Sequence, residues 1–295
     1  MARESLLLGA HRATVGGLHT AFAGGDAIGA KVIQVFTSSP RQWRARELDA
    51  GAIEAWEAAR AAAKVRLVVA HDSYLINLAA TDPAIRARSI AAFTDELERC
   101  RRLAIPYLVT HPGAHVGAGE AAGLASFAAA LRGIYDAHPE FDTMTLLETT
   151  AGQGTSLGAR FEEIAELLAA IGHETRLGVC LDTSHVFAAG YDLRTPESEA
   201  AVVSAFDDCI DLARLKVIHL NDSKGKLGSR VDRHERIGRG EIGDEAFRAL
   251  LADPRLRPLP MLVETPGLEH HGAELRRLRR LARLETKHVA SDAAV

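Results

Sequence analysis

Cysteine is scarce in this chain. Only Cys100, Cys180 and Cys209 occur among 295 residues, few and odd in number, so a disulfide framework is excluded and a reducing, cytoplasmic setting is expected. No apolar run approaches the roughly 18–20 residues of a membrane span. The one apolar run in MARESLLLGAH is too short and too soon interrupted for a signal peptide. Surplus positive charge is also missing. Lys and Arg total 35 against 39 Asp and Glu, a formal net charge of −4, which argues against a general nucleic-acid binder whose phosphate contacts need clustered cations. Net charge does not fix a local field, however, and carboxylates that bind metals would bias the bare count. No interdomain linker and no low-complexity segment interrupts the chain.

Short apolar runs recur along the whole length: 5–11, 31–37, 65–72, 106–113, 144–152, 176–185, 215–222 and 260–267. Each is nearly continuous in Val, Ile and Leu, the pattern of parallel strands covered on both faces. Amphipathic, Ala-rich stretches lie between them. The clearest are 83–104, opened by Thr81, Asp82 and Pro83, and 159–171. Eight strands alternating with helices predict an α/β fold, a single (β/α)8 TIM barrel over residues 1–284, with 285–295 as a frayed tail. A core of this size can bury roughly three quarters of the unfolded surface. The barrel in turn predicts an active site at the C-terminal ends of the strands.

Polar residues fall where that prediction asks for them. The third run ends in His71, the fourth in His111, the fifth in Glu148, the sixth in Asp182 and His185, the seventh in His219 and the eighth in Glu264; the following loop of the seventh adds Asp232 and His234. Side chains alternate along a strand, so Val69 shares a face with His71, Val109 with His111 and Leu146 with Glu148. If the deeper partner packs the barrel interior, the terminal residue points into its mouth. Singly, a strand-end His is more often a hydrogen-bonded core residue than a ligand, and an Asp after a strand is usually a helix cap. Together, four carboxylates could not share one rim without compensating cations. The mixture of His, Asp and Glu suits zinc or manganese rather than magnesium, and nine ligands suit a cluster of three ions. Three divalent ions against four carboxylates leave about +2, a field that would draw a phosphodiester. Cys180 shares parity with Asp182 and reads as core. His11 ends the first strand and could support a ligand from outside. His19, His115 and His173 read as ordinary loop or helix residues.

At this point the motifs resemble a family. The segments HDSYLINL (71–78), HPG (111–113), ETTAGQG (148–154), LDTSHVFAAGYDL (181–193), HLNDSKGKLGSRVDRHERIGRGEIG (219–243) and VETP (263–266) are similar to the signatures of the endonuclease IV family of apurinic/apyrimidinic endonucleases. The resemblance covers almost the whole chain. It implies three zinc ions, with manganese an option at one or more sites: His71 and His111 on the first, Glu148 bridging it to a second held also by Asp182, His219 and Glu264, and His185, Asp232 and His234 on the third. It implies hydrolysis of the phosphodiester 5′ to an abasic site in double-stranded DNA, leaving a 3′-hydroxyl and a 5′-deoxyribose phosphate, with Glu148 and Glu264 as catalytic carboxylates. It also implies DNA contacts from Arg41, in RQWR (41–44), and from Tyr74, Leu75 and Asn77. Departures from the family pattern are Ser39-Pro40 before RQWR, Ser184 where Cys is common, and GAHRATVGG at 9–17. A closed barrel has no free sheet edge, so a monomer is expected. Two other readings are a metal-dependent sugar isomerase or epimerase, which needs no third site, and a non-catalytic DNA-damage-binding protein using zinc structurally. A binuclear amidohydrolase would want a His-x-His pair where GAHRAT offers only His11.

Overall fold

The computed structural model describes residues 6–292, with side chains to residue 283. Eight parallel strands close a barrel: β1 (Leu8–His11), β2 (Val32–Phe36), β3 (Leu67–His71), β4 (Tyr107–Thr110), β5 (Met144–Glu148), β6 (Leu177–Asp182), β7 (Leu215–His219) and, returning to β1, β10 (Met261–Val263). Two-residue strands β8 (Asp222–Ser223) and β9 (His234–Glu235) pair antiparallel above the rim. The helices are α1 (Thr20–Ala27), α2 (Ala50–Ala62), α3 (Pro83–Arg102), α4 (Glu120–Ala137), α5 (Phe161–Ile171), α6 (Thr183–Ala189), α7 (Pro196–Ile210), α8 (Gly243–Ala252) and α9 (His271–Asp292). The expected single (β/α)8 barrel is therefore present, and all eight predicted runs contain a barrel strand. The expected tail at 285–295 lies outside the residues whose side chains are described. Among the described residues, no helix is long and apolar enough to cross a membrane.

Local chemistry sets the helix boundaries. Asp82 caps α3, its carboxylate accepting from Ala84 N and Ile85 N at 2.9 Å, and Pro83 occupies the first turn, where no backbone donor is needed. Ala104, at φ 50°, turns the chain out of the helix. The outer core is the apolar layer between strands and helices, with Trp56, Phe93, Phe127, Phe206 and Phe247 fully buried.

The inner core is smaller and governs function. Val32, Val69, Val109, Leu146, Cys180, Val217 and Leu262, one from each strand but β1, fill the barrel's interior. On β1 the equivalent position is Gly9, where a Cβ would lie 1.6 Å from the Val32 carbonyl oxygen, so only glycine fits. Two residues further along the strands come His11, Gln34, His71, His111, Glu148, Asp182, His219 and Glu264. The alternation of a strand thus carries every one of these side chains to the layer above the apolar ring. A register shift between Val179 and Cys180 in the β6–β7 pairing brings Asp182 level with His219. Cys180 is core, as expected, and burial pushes its thiol up to about 11.

The inner ring supports the site from below, so truncating it should loosen both. Leu146→Ala is expected to lower unfolding stability by about 2–5 kcal/mol, the range for emptying a fully buried leucine site. A shift in the denaturant midpoint measures it; a loss under about 1 kcal/mol would mean that the ring is not close-packed.

Candidate metal centre

Glu148 is fully buried and sits at the middle of the mouth. Its Oε2 lies 3.1 Å from His71 Nε2 and 3.0 Å from His111 Nε2. Its Oε1 lies 2.9 Å from His219 Nδ1. One carboxylate therefore faces a different group of imidazoles with each oxygen. His219 Nδ1 is also 3.0 Å from Glu264 Oε2 and 3.8 Å from Asp182 Oδ2. On the other side, His185 Nε2 is 3.3 Å from His234 Nε2 and 3.3 Å from Asp232 Oδ1, with Asp182 Oδ2 at 3.6 Å from His234 Nε2.

Among the described residues four groupings have metal-ligand spacing: His71, His111 and Glu148; Glu148, Asp182, His219 and Glu264; Asp182, His185 and His234; and Glu148, Cys180 and His219, which overlaps the second. Asp232 approaches the third from the solvent side, 3.6 Å from His234 Nε2. All nine residues singled out in the sequence lie around this mouth; the third grouping holds Asp182 where the family resemblance implies Asp232, and Asp232 stands beside it.

Outer contacts decide which nitrogen each imidazole offers. His71 Nδ1–H donates to the Asp72 carbonyl at 3.0 Å, leaving Nε2 toward Glu148. His185 Nδ1–H donates to the Thr149 carbonyl at 2.8 Å, leaving Nε2 toward His234 and Asp232. His219 Nε2–H donates to Gln34 Oε1 at 2.7 Å, leaving Nδ1 toward three carboxylates. Such outer hydrogen bonds fix tautomer and ring orientation in metal sites. The donor set fits divalent ions on this ground. A single proton shared between His185 Nε2 and His234 Nε2 would leave the carboxylates of Asp232 and Asp182 beside them unmatched; a divalent cation there faces both nitrogens and both carboxylates.

Electrostatics agree. Burial works against charge on Glu148, but His219 and His111 overcome it and hold its carboxyl well below the usual range. Burial likewise opposes ionisation of Glu264, and His219 more than offsets it. Asp232 is held at about 2, burial being outweighed by His185 and His234. In the reverse direction, His71 is raised against burial by Asp72 and Glu148, and His185 by Asp182 and Asp232. The mouth thus collects positive charge, as protons or as metal ions. His11, one layer member without a carboxylate partner in hydrogen-bond reach, is driven down to about 4 by burial and stays neutral.

Asp182 has a second task. Its Oδ1 caps α6 through His185 N at 2.9 Å, while Oδ2 accepts from Asn221 Nδ2 at 2.6 Å and faces the imidazoles. One oxygen of Asp182 is thus used as a helix cap, and the other is left facing His219 and His234. The loop carrying Asp232 and His234 is pinned by the fully buried Asp222, which accepts from Ser223 N, Gly238 N, Gly240 N and Ile242 N at 2.9–3.0 Å. A Cβ at Gly240 would stand 2.5 Å from that carboxylate, so glycine is required there. Gln153, in the ETTAGQG segment, holds the same loop by accepting from Asp232 N at 2.9 Å.

The four residues expected to touch DNA occupy different environments. Arg41 is exposed on the loop after β2, and Tyr74 is 68% exposed beside the mouth, its ring edge-on to Phe36 at 5.4 Å. Leu75 is half-buried. Asn77 uses its amide on Ala114, donating to the carbonyl at 2.8 Å and accepting from the N–H at 3.0 Å, so it ties the β3 and β4 loops together. A cavity of about 390 Å³ opens between these loops, lined by His71, Tyr74, Asn77, His111, Gln153 and Asp232.

Gln34 escaped the sequence reading. It is fully buried, accepts from His219 and donates to Glu264 Oε1 at 2.5 Å. The signal was available: one amide inside VIQVF, on the same parity as Val32. Gln34→Leu is expected to leave both partners unsupported and to weaken metal retention about 10–100-fold, the usual cost of losing such support. Chelator competition on the folded variant measures it, and unchanged retention would show that Gln34 is a passive filler.

Residues 25–282 match the family described as Xylose isomerase-like TIM barrel. A probable endonuclease 4 from Chloroflexus aggregans is 52% identical over 258 residues, covering 88% of this chain and 90% of that protein. The crystal structure of endonuclease IV from Thermus thermophilus aligns at 38% identity with a TM-score of 0.81, covering 94% of this chain and 98% of that one. A D-tagatose 3-epimerase-like protein aligns at 18% identity and TM-score 0.75 over 96% of this chain and 100% of that one, a likeness of fold alone. With the motifs read from the sequence and the barrel that gathers them, these similarities place the chain in the endonuclease IV family.

Proposed function

We propose that this chain is a DNA-repair endonuclease that hydrolyses the phosphodiester 5′ to an abasic nucleotide in duplex DNA, leaving a 3′-hydroxyl and a 5′-deoxyribose phosphate. It acts as a cytoplasmic monomer with residues 1–284 as one catalytic unit and three zinc ions in the mouth, manganese serving at one or more positions if zinc is replaced. The observation that carries this reading is the convergence of five histidines and four carboxylates into three ligand sets around Glu148. A barrel epimerase with one or two metals has no use for the third set. The relatives' names supply the substrate class.

When bound, the zinc ions would supply Lewis acidity, lowering the pKa of water toward neutrality and offsetting the charge of the phosphate. The chain's own groups do the rest. Glu148 spans the first two ligand sets, one oxygen to each, and so fixes their separation. Glu264 is held on one oxygen by Gln34 and reaches the open side of the mouth, where it orients the attacking water. His185, Asp232 and His234 stand across the mouth and hold the end at which the 3′-oxygen departs. Arg41 and Tyr74 contact the duplex from the rim. Leu75 and Asn77 contact the duplex from the same loop as Tyr74, and Asn77 also ties that loop to the one after β4. An exposed Arg beside an aromatic wedge suits proteins that kink DNA and turn a nucleotide out of the stack.

The test is incision of a duplex carrying one abasic site, with and without a chelator, alongside metal analysis. Nicked product only with metal present, and about three zinc per chain, are expected. His111 is partly exposed, so His111→Ala should keep the far-ultraviolet circular dichroism of the native fold while lowering incision by at least about 10²-fold, the scale for losing a ligand from a metal that activates water. Undiminished incision by that variant, or intact DNA with the loaded wild-type chain, sinks the assignment.

A further inference from the structure

Arg41 stands on a loop between β2 and α2 that has little secondary structure of its own, yet α3 grips this loop at both ends. Glu96 of α3, buried, accepts from Thr37 Oγ1 and from Ser38 Oγ, the latter at 2.7 Å. Arg99, one helical turn on and also buried, donates to the carbonyls of Thr37 and of Arg46, the latter at 2.9 Å. One guanidinium therefore joins the first and last residues of the segment 37–46. Between these ends, the Arg88 guanidinium lies 4.3 Å from the centre of the Trp43 ring. Ser73 Oγ donates to the Pro40 carbonyl at 2.9 Å, and a turn closes from Gln42 N to Ser39 O at 3.2 Å with Pro40 at its second position. Arg41 is thus the exposed residue between two pinned neighbours.

We infer that α3 is a positioning element for DNA entry: buried Glu96 and Arg99 close the base of the 37–46 loop, and Arg88 holds its arm through Trp43, so that Arg41 is presented before DNA arrives. A buried carboxylate and guanidinium spent on one surface loop are a large investment unless the loop must be rigid, because each buried charge needs several hydrogen bonds to persist. An ordered loop loses less conformational freedom when the duplex binds. A groove of about 380 Å³ opens beside Trp43, Arg88 and Asp95, so the ring is not enclosed on that side and the stacked cation is one of its supports.

The inference rests on the endonuclease reading for its DNA arm and not for its loop arm. Trp56 is fully buried, so a polar quencher of tryptophan emission reports Trp43 in the DNA-free protein. Arg88→Ala should raise quenching of Trp43 and raise KM for the abasic duplex about three- to tenfold, with kcat and metal content unchanged. Trp43→Leu should match it in KM, whereas Trp43→Phe should keep most of the wild-type KM. In an Arg41→Ala background, Arg88→Ala should add less than about a further twofold, because the two act through one loop. The slope of log KM against log salt should not change. Unaltered quenching in Arg88→Ala overturns the inference. So does a KM effect additive with Arg41→Ala and a salt slope smaller by about one, which would make Arg88 a direct phosphate contact. If the wild-type chain leaves the duplex intact, the endonuclease reading falls, and the quenching result still decides whether α3 holds the loop.

Discussion

Burial of the Glu148 carboxylate at the centre of the barrel mouth sets the terms for everything around it. An ionised carboxylate withdrawn from water is unfavourable by many kcal/mol unless positive charge meets it. Here three imidazoles lie within 3.1 Å of its two oxygens, and Asp182, Asp232 and Glu264 crowd the same space. The imidazoles alone cannot settle the balance as neutral rings, since the outward N–H groups of His71, His185 and His219 are already committed to Asp72, Thr149 and Gln34. Each of these three therefore turns a lone pair toward an anion. Cations between them resolve the conflict, and a site that must hold several divalent ions close together is suited to a substrate that carries negative charge.

The barrel solves the geometric half of the problem. Candidate ligands from six strands meet within a few ångströms although they are separated by up to 193 positions in the chain, from His71 to Glu264. Strand alternation does this without any special loop. The ring Val32, Val69, Val109, Leu146, Cys180, Val217 and Leu262 packs the interior, and the residue two further on each strand must then rise one layer above it. Gly9 lets β1 approach β2 closely enough to complete the ring. Close packing below makes the layer above stiff, so the ligand spacing is set by the same contacts that stabilise the fold.

That dependence explains what was legible in the sequence. Alternation and strand-end position are local rules, so the eight strands, the six candidate ligands at strand ends, His185 in the first turn of the helix after β6, and the core role of Cys180 could all be read from short segments. Gln34 obeyed the same parity but was passed over because it lies inside an apolar run, not at its end. Asp222 was hidden for another reason: a buried carboxylate receiving four backbone donors looks in sequence like any loop aspartate. Asp232 and His234 belong to no barrel strand, and it was the family resemblance that gave them a place in the third set. Asn77 was assigned a surface role from its motif, yet both ends of its amide are used on Ala114. Such tertiary hydrogen bonds have no period and no spacing, so a linear reading does not recover them.

The chain's net charge of −4 pointed away from nucleic acid, and the structure shows why that sum misleads. Glu148, Asp182 and Glu264 are turned inward at the mouth and Asp232 stands at its solvent edge, where bound cations would cancel or reverse their charge. Beyond a Debye length of roughly 8–10 Å the remaining surface charges are screened. What the rim presents to solvent is local: the exposed Arg41 on its braced loop, with the layer of His, Asp and Glu side chains beneath. The local field at the mouth is therefore a matter of where a few charges are fixed, and the parts that fix them are the inner ring below and α3 at the side.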